Sequence, residues 1–464
     1  MIGENKQKFL RSIHKSQIIW YNYESATERN RIMLSFFKRQ SPVRIIAVGF
    51  LLVILLGSLL LSLPCSIKDG VRISYIDSLY TSTSAVCVTG LITIDPGDTF
   101  TPLGQFFLGM LIQIGGLGVA AIGTGVMLLL RKKMNFKERN IIREAMNFDS
   151  GKGVVSFLKD IFVITVIIEL FGALVSLTVF IKDYPLIDAL GISIFHSVSA
   201  FNNSGFDIMG GFNSLVPYAD NAVLTLITAF LIISGGIGFL VIKELVQKKF
   251  RWRKLSMHAR VVLSTTAVLI VAGTLLLKLT ENITWLQSFF NSVSARTAGF
   301  ADVSLSSFTN SGIIIMVILM FVGASPGSTG GGIKTTTFFA LLQGIKSSAT
   351  NKSEKAFKYS MPKQAFRKAA VVSAIGICVV VTGIYLMGVF DPHIELRDVI
   401  FEITSAFATV GLSTGITPDL SSGSKILSMI IMFIGRLGPL TIATVWYYGK
   451  EERAEYPQGD ISIG

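Results

Sequence analysis

The residues of this chain whose types and spacing could do chemistry are, above all, glycines. Four stretches superimpose: STSAVCVTGLITID from Ser82, SVSAFNNSGFDIMG from Ser197, SVSARTAGFADVSL from Ser292 and ITSAFATVGLSTGI from Ile403. Each carries Ser-Ala and, a few residues on, a glycine: Gly90, Gly205, Gly299 and Gly411, separated by 115, 94 and 112 residues. A half-helix that runs into an extended glycine-bearing loop can offer backbone carbonyls to an ion in place of its hydration shell. Glycine suits the narrow point because it adopts dihedrals closed to other residues and has no side chain to block the path. The expected ion-binding residues are Thr89, Gly90, Ser204, Gly205, Ala298, Gly299, Val410 and Gly411. Glycines placed only for close helix packing are the plainer alternative; four in register favour the ion path.

A second landmark repeats in the same order: IGGLG from Ile114, SGGIG from Ser234, VGASPGSTGGGIK from Val322 and IGRLG from Ile434. Its third copy, Gly323–Gly332, cannot stay helical, and an irregular segment below one glycine loop is a candidate gate. The residues expected to form it are Gly323, Ser325, Gly327, Ser328, Thr329, Gly330, Gly331, Gly332 and Lys334. Its likeness to a phosphate loop fails, since the spacing is wrong, no strand precedes it and its flanks are apolar. In the fourth copy Arg436 stands where Gly116 or Gly236 stands in the others. A charge at membrane depth is functional by default; here it is expected to project below the glycines as a barrier beside the loop. A structural ion pair with Glu169 is the alternative. Beyond the glycines come acids and few bases (Asp95, Asp98, Asp207, Asp220, Asp302 and Asp419), which would raise the local cation concentration, although aspartate also favours turns. His14, His196, His258 and His393, with Cys65, Cys87 and Cys378, show no metal-ligand spacing. His196 and His393 are expected to satisfy local backbone groups. No nucleophile, base and acid converge, so an enzyme is not expected.

These stretches need a membrane to position them. Hydrophobic residues make up 51% of the 464 and charged residues 15%, where soluble domains carry about a quarter charged. The net charge of +13 lies mainly in short segments between apolar runs, a topogenic pattern and not a nucleic-acid groove. Eight runs are long enough to span a bilayer: 44–63, 104–130, 154–181, 221–246, 260–279, 311–343, 370–390 and 425–448. The loops after the second, fourth and sixth are strongly basic, from Arg131 to Lys152, Lys248 to Lys254 and Lys346 to Lys368. The positive-inside bias puts them and both termini in the cytosol. The first forty residues read as a basic arm and not a signal peptide. The expected fold is an all-α membrane protein of four pseudo-symmetric helix–pore-loop–helix units around a central pore, with eight transmembrane helices and four re-entrant half-helices. The expected divisions are a cytosolic arm at 1–40, then units at 41–132, 133–249, 250–345 and 346–464.

VTGL at Val88, FNNSGF at Phe201, RTAGF at Arg296 and VGLSTG at Val410 together resemble the Ktr/Trk/HKT superfamily of potassium transporters. IQIGGLG at Ile112, GGIGF at Gly235, GSTGGGIK at Gly327 and MFIGRLGPLT at Met432 add to the resemblance. It covers roughly 41–464 and is nearest the Ktr membrane subunit, which has eight spans without an extra N-terminal pair. The resemblance implies K+ at the filter glycines, a gating loop in the third unit and an arginine near it in the fourth. It further implies potassium uptake across the plasma membrane, a homodimer with one pore per protomer, and a cytosolic ring of nucleotide-binding RCK-type subunits. On that reading nucleotide binds the partner only, and Na+ is a candidate coupling ion. The basic loops suit that ring, or equally anionic lipid. All four filter glycines resemble potassium-selective members, whereas sodium-preferring relatives carry serine where Gly90 stands. A less selective cation transporter of the same fold, or a non-conducting anchor, are the competing readings.

Overall fold

The computed structural model describes residues 42–129, 154–362 and 364–445. The arm at 1–40, the first basic loop from Arg131 to Lys152 and the segment after 445 lie outside the described residues. One succession of elements recurs four times: a long helix, a shorter one, a loop, then an apolar helix that breaks. It comprises α1 (Pro42–Leu61), α2 (Tyr75–Cys87), α3 (Pro102–Leu117) and α4 (Val119–Leu129), then α5 (Val154–Phe180), α6 (Leu186–Phe201), α7 (Ala222–Gly236) and α8 (Phe239–Gln247). Next come α9 (Met257–Thr280), α10 (Trp285–Ser294), α11 (Asn310–Phe321) and α12 (Thr335–Thr350). After a short hairpin, β1 (Lys355–Ala356) with β2 (Tyr359–Ser360), the described residues finish with α13 (Ala365–Phe390), α14 (Leu396–Ala408), α15 (Ser422–Leu437) and α16 (Pro439–Val445).

Helix starts follow from local chemistry. Thr101 and Ser421 cap α3 and α15 by accepting from Gly104 N–H and Ser424 N–H, and Thr284 with Gln287 makes a reciprocal cap on α10. Each satisfies a backbone donor that the helix itself leaves free. The first serine of the repeated stretch ties the short helix to the long one. Ser82, Ser197 and Ser292 donate to the carbonyls of Ile54, Glu169 and Ile270 at 2.7, 2.6 and 2.9 Å. Facing glycines, Gly57, Gly172 and Gly273, leave room for those hydroxyls. In the fourth succession Ile403 replaces the serine and packs near Gly383.

The eight expected spans, the sixth of them interrupted, are borne out in part. Among the described residues, four helices are long and apolar enough to cross a membrane, in the regions of α1, α5, α9 and α13, and a fifth span exists only if α7 and α8 count together across a 100° bend. All four even-numbered runs are broken, not the sixth alone. Gly118, Gly238 and Gly438 each sit at φ 90–92° and ψ 135–143°, a region closed to residues with a Cβ. Hydropathy runs straight through these joints because both flanks are apolar. In the third succession Val322–Lys334 forms a long irregular connection.

Candidate ion-coordination site

The four loop glycines converge on one ring. A Cβ added at Gly90 would strike the carbonyl oxygen of Ser204, at Gly205 that of Ala298, at Gly299 that of Val410, and at Gly411 that of Thr89. The circuit closes: the space beside each glycine is filled by the carbonyl before the next one. All four glycines have φ between 73° and 94°, so both backbone and space demand glycine there. The expected ion-binding residues are therefore brought together, every one of the eight.

The helices aim their chain ends at this ring by a shared turn. Thr89, Ser204 and Val410 N–H donate to the carbonyls of Ser84, Ser199 and Ser405, five residues back, at 2.7, 2.9 and 2.9 Å. In the third stretch Ala298 N–H reaches only four back, to Ser294 at 2.9 Å, because that stretch is one residue shorter between Ser-Ala and glycine. The residue two before each glycine, Val88, Asn203, Thr297 or Thr409, has a left-handed backbone in all four. Packing glycines exist too, but they are the second landmark. Gly115, Gly235 and Gly435 let α3, α7 and α15 approach the carbonyls of Val86, Phe201 and Phe407.

On one side of the ring a cavity of about 370 Å³ is lined by Gly90, Gly205, Gly299, Gly411, Asp207 and Ser413, among others. Of the six acids expected at a mouth, Asp207 alone lines it. Asp95 and Asp98 instead accept from Phe212 N–H at 2.7 Å and Gly211 N–H at 2.9 Å, stitching the first loop to the second. Asp302 is buried and accepts from Asn291 Nδ2 at 2.6 Å. These three carboxylates serve as acceptors for neighbouring segments, a structural use and not the expected field at the mouth.

On the other side lies Val322–Lys334. Thr329 Oγ1 donates at 3.3 Å to Phe201 O, and its N–H reaches Gly235 O at 3.3 Å. Ser325 N–H donates to Gly236 O at 3.0 Å and Gly331 N–H to Thr409 Oγ1 at 3.0 Å, while Gly330 abuts Thr297. Lys334 Nζ donates within the loop, to Gly330 O at 2.7 Å. Gly327 O accepts from Phe239 N–H at 3.0 Å, and Ser328 Oγ donates to Ser325 O at 2.6 Å. Gly323 and Gly332 close on Gly331 and Ala408.

Arg436 completes the tie. Its guanidinium donates to Thr329 O in the loop, and to Gly115 O and Gly116 O where α3 breaks. It is half-buried and lines a cavity of about 160 Å³ with Gly116, Gly327, Ser328, Gly330 and Lys334. Glu169 is not its partner, for that carboxylate accepts from Asn202 Nδ2 at 3.2 Å. His196 lies in the second half of α6 and bonds a side chain, Thr228 Oγ1 at 2.8 Å, not local backbone as expected. Sequence reasoning missed Asn203, Thr297 and Thr409, which meet the loop, and Arg296, whose Nη2 lies 3.5 Å from Gly323 O. Their shared place just before the glycine was the available signal.

The chain that carries this ring has relatives among known proteins. A family model described as a cation transport protein, TrkH, matches residues 35–278 and 257–450. The chain belongs to the TrkH cation transport family. The chain is 36% identical to the potassium/sodium uptake protein NtpJ of Enterococcus hirae, over 92% of this chain and 98% of that protein. Ktr system potassium uptake protein B of Bacillus subtilis is 35% identical, over 92% and 97%, and its namesake in Vibrio alginolyticus 32%, over 91% and 94%. In structure, the potassium transporter TrkH from Vibrio parahaemolyticus superposes with a TM-score of 0.67 at 19% identity, covering 87% of this chain and 85% of that one. That likeness speaks for the fold alone. As a TrkH-family member with several apolar helices, this is a multi-pass membrane transport protein.

Proposed function

We propose that this chain is the potassium-conducting subunit of a Ktr-type uptake system in the plasma membrane, with its termini in the cytosol. The observation that carries the reading is the closed circuit of glycines and carbonyls from Thr89, Ser204, Ala298 and Val410. A dehydrated K+ held there exchanges water oxygens for backbone oxygens. Four pseudo-symmetric units supply one strand each, at 41–132, 133–249, 250–345 and 346–464. The cavity with Asp207 is the outer vestibule. Gly323–Lys334 is the gate below, drawn shut by Arg436 from the fourth unit onto the first. That the loop is bonded to the second and fourth units, abuts Thr297 of its own and is tied through Arg436 to the first supports this reading, since a segment so tied cannot stay in place while an ion passes beneath the ring.

The proposed assembly is a homodimer with a cytosolic RCK-type ring that carries the nucleotide; the relatives named for a Ktr system support only that the chain works within such a system. A second reading, a less selective pathway that admits Na+ or couples to it, is favoured by the relative named for potassium and sodium.

Flux into liposomes containing the full chain tests both, with K+ compared against Na+ for the native protein and for Gly411→Ser. Gly411 has φ 94° and abuts Thr89 O, so a serine must displace that carbonyl. A K+ preference that falls roughly tenfold, or about 1.4 kcal/mol of differential binding, supports the filter. Equal ion ratios in native and variant protein overturn it. Native flux without preference selects the second reading.

A further inference from the structure

The segment between α8 and α9 meets the hairpin after α12. Trp252 and Phe357 pack edge-on with centroids 6.0 Å apart, and the Arg260 guanidinium lies 6.0 Å above the Phe357 ring. Around this contact four aromatic side chains are exposed: Phe250 (72%), Trp252 (45%), Phe357 (47%) and Tyr359 (50%). Phe250 and Phe357 are held outward by left-handed backbone, at φ 58° and 55°, a conformation bulky residues rarely adopt. Six exposed cations surround them: Lys249, Arg251, Arg253, Lys254, Lys355 and Lys358. Of the nearby acids, Glu244 is engaged by Lys248 and Ser256, at 2.6 Å each, and Glu354 is half-buried at the hairpin's base.

The patch sits where helices enter the bilayer. α9 begins at Met257, three residues after Lys254, and α13 at Ala365, soon after Tyr359. Aromatic side chains prefer the headgroup level, and anionic headgroups attract cations beside them. We propose that this aromatic and basic patch binds anionic phospholipid headgroups. The occupant follows from charge complementarity and from position at the ends of two spans. α12 joins the patch to the loop, starting beside Lys334 and running about 24 Å, so lipid held here bears on the loop's far end. The inference rests on the proposed cytosolic placement of these loops.

The test uses the full chain in nanodiscs of phosphatidylcholine, with an equal fraction of brominated phosphatidylcholine or brominated phosphatidylglycerol, read by tryptophan fluorescence. The phosphatidylglycerol should quench more strongly, and the excess should vanish in Trp252→Phe. Its apparent affinity should weaken about fivefold per cation removed in a variant combining Arg253→Gln, Lys254→Gln, Lys355→Gln and Lys358→Gln. Unchanged elution and melting show that the variants fold. Equal quenching by the two lipids overturns the proposal, as does an excess that survives in both variants. Absent an excess, protection of Lys355 and Lys358 from acylation by a soluble acidic protein would make the patch a protein-docking surface and the proposal wrong. Quenching needs no transport, and K+ flux from the same preparation reads the transport proposal separately.

Discussion

Arg436 offers the sharpest test of the loop as a gate. Its guanidinium reaches three carbonyls, but only Thr329 O belongs to the loop; Gly115 O and Gly116 O belong to the opposite wall. No carboxylate lies within ion-pair distance of it among the described residues. Arg436 is thus a strut between loop and wall, and cutting it releases one tie. A hydrogen bond to a charged group is worth about 1.5–3 kcal/mol. The lower end applies because the group is half-buried and faces a cavity. About 1.5 kcal/mol shifts a two-state loop roughly tenfold toward open. K+ flux from liposomes with Arg436→Gln should therefore rise about tenfold, measured without any partner subunit. Arg436→Lys separates a tie from a charge barrier. Lysine keeps the positive charge, but its single ammonium cannot span Thr329 and Gly115 together. The strut predicts that lysine raises flux nearly as much as glutamine. Native flux in Arg436→Lys with raised flux in Arg436→Gln would refute the strut and leave only the field. Native flux in both would refute any gating role for Arg436.

Deleting Gly323–Gly332 should raise basal K+ flux above that of Arg436→Gln, since it also removes the bonds to Phe201, Gly235 and Thr409; flux no higher than native would show that the loop obstructs nothing. Away from the spans, Asp391 joins the end of α13 to the start of α15. Burial alone would raise its carboxyl, but the hydroxyls of Ser424 and Ser421, the Ser421 N–H and nearby His393 outweigh it and hold it below the usual carboxylate value. A lowered folded pKa means stability that is present above about pH 4 and lost as pH falls through the folded value. The Tm of Asp391→Asn should lie below native at pH 7 and converge with it in acid, and a constant gap across pH would contradict the linkage.

The glycine ring was legible in the sequence because a backbone that must approach another backbone tolerates one residue type, and four copies removed the ambiguity of any single glycine. Apolar length likewise marked α1, α5, α9 and α13. What escaped notice were features that hydropathy does not register. The breaks at Gly118, Gly238 and Gly438 are conformational, and an apolar run reads the same whether straight or bent. The missing residue in the third stretch hid inside a motif matched by Ser-Ala at one end and glycine at the other. Asp95 and Asp98 misled for another reason. Their sign suggested a field, while their use is decided by which N–H groups the neighbouring loop leaves unpaired, and that is tertiary information. The first basic loop, from Arg131 on, and the N-terminal arm fall outside the described residues.

The departures from fourfold repetition are more informative than the repeat. Four identical successions would each end in a bent glycine joint, and three do. The third replaces the joint with Val322–Lys334, and the fourth replaces one small residue with Arg436. Either change alone would be a liability. A loop of glycines and small hydroxyls has little side-chain burial to hold it and a large entropy to lose, and a guanidinium without a carboxylate strands its charge. Together they cancel, because the irregular loop presents free carbonyls and the arginine consumes one of them. The bond between Arg436 and Thr329 is thus the point where two separately unfavourable substitutions become one device. It follows that they should couple in a double-mutant cycle. Arg436→Gln made in the chain lacking Gly323–Gly332 should add little further flux, whereas two independent obstructions would multiply.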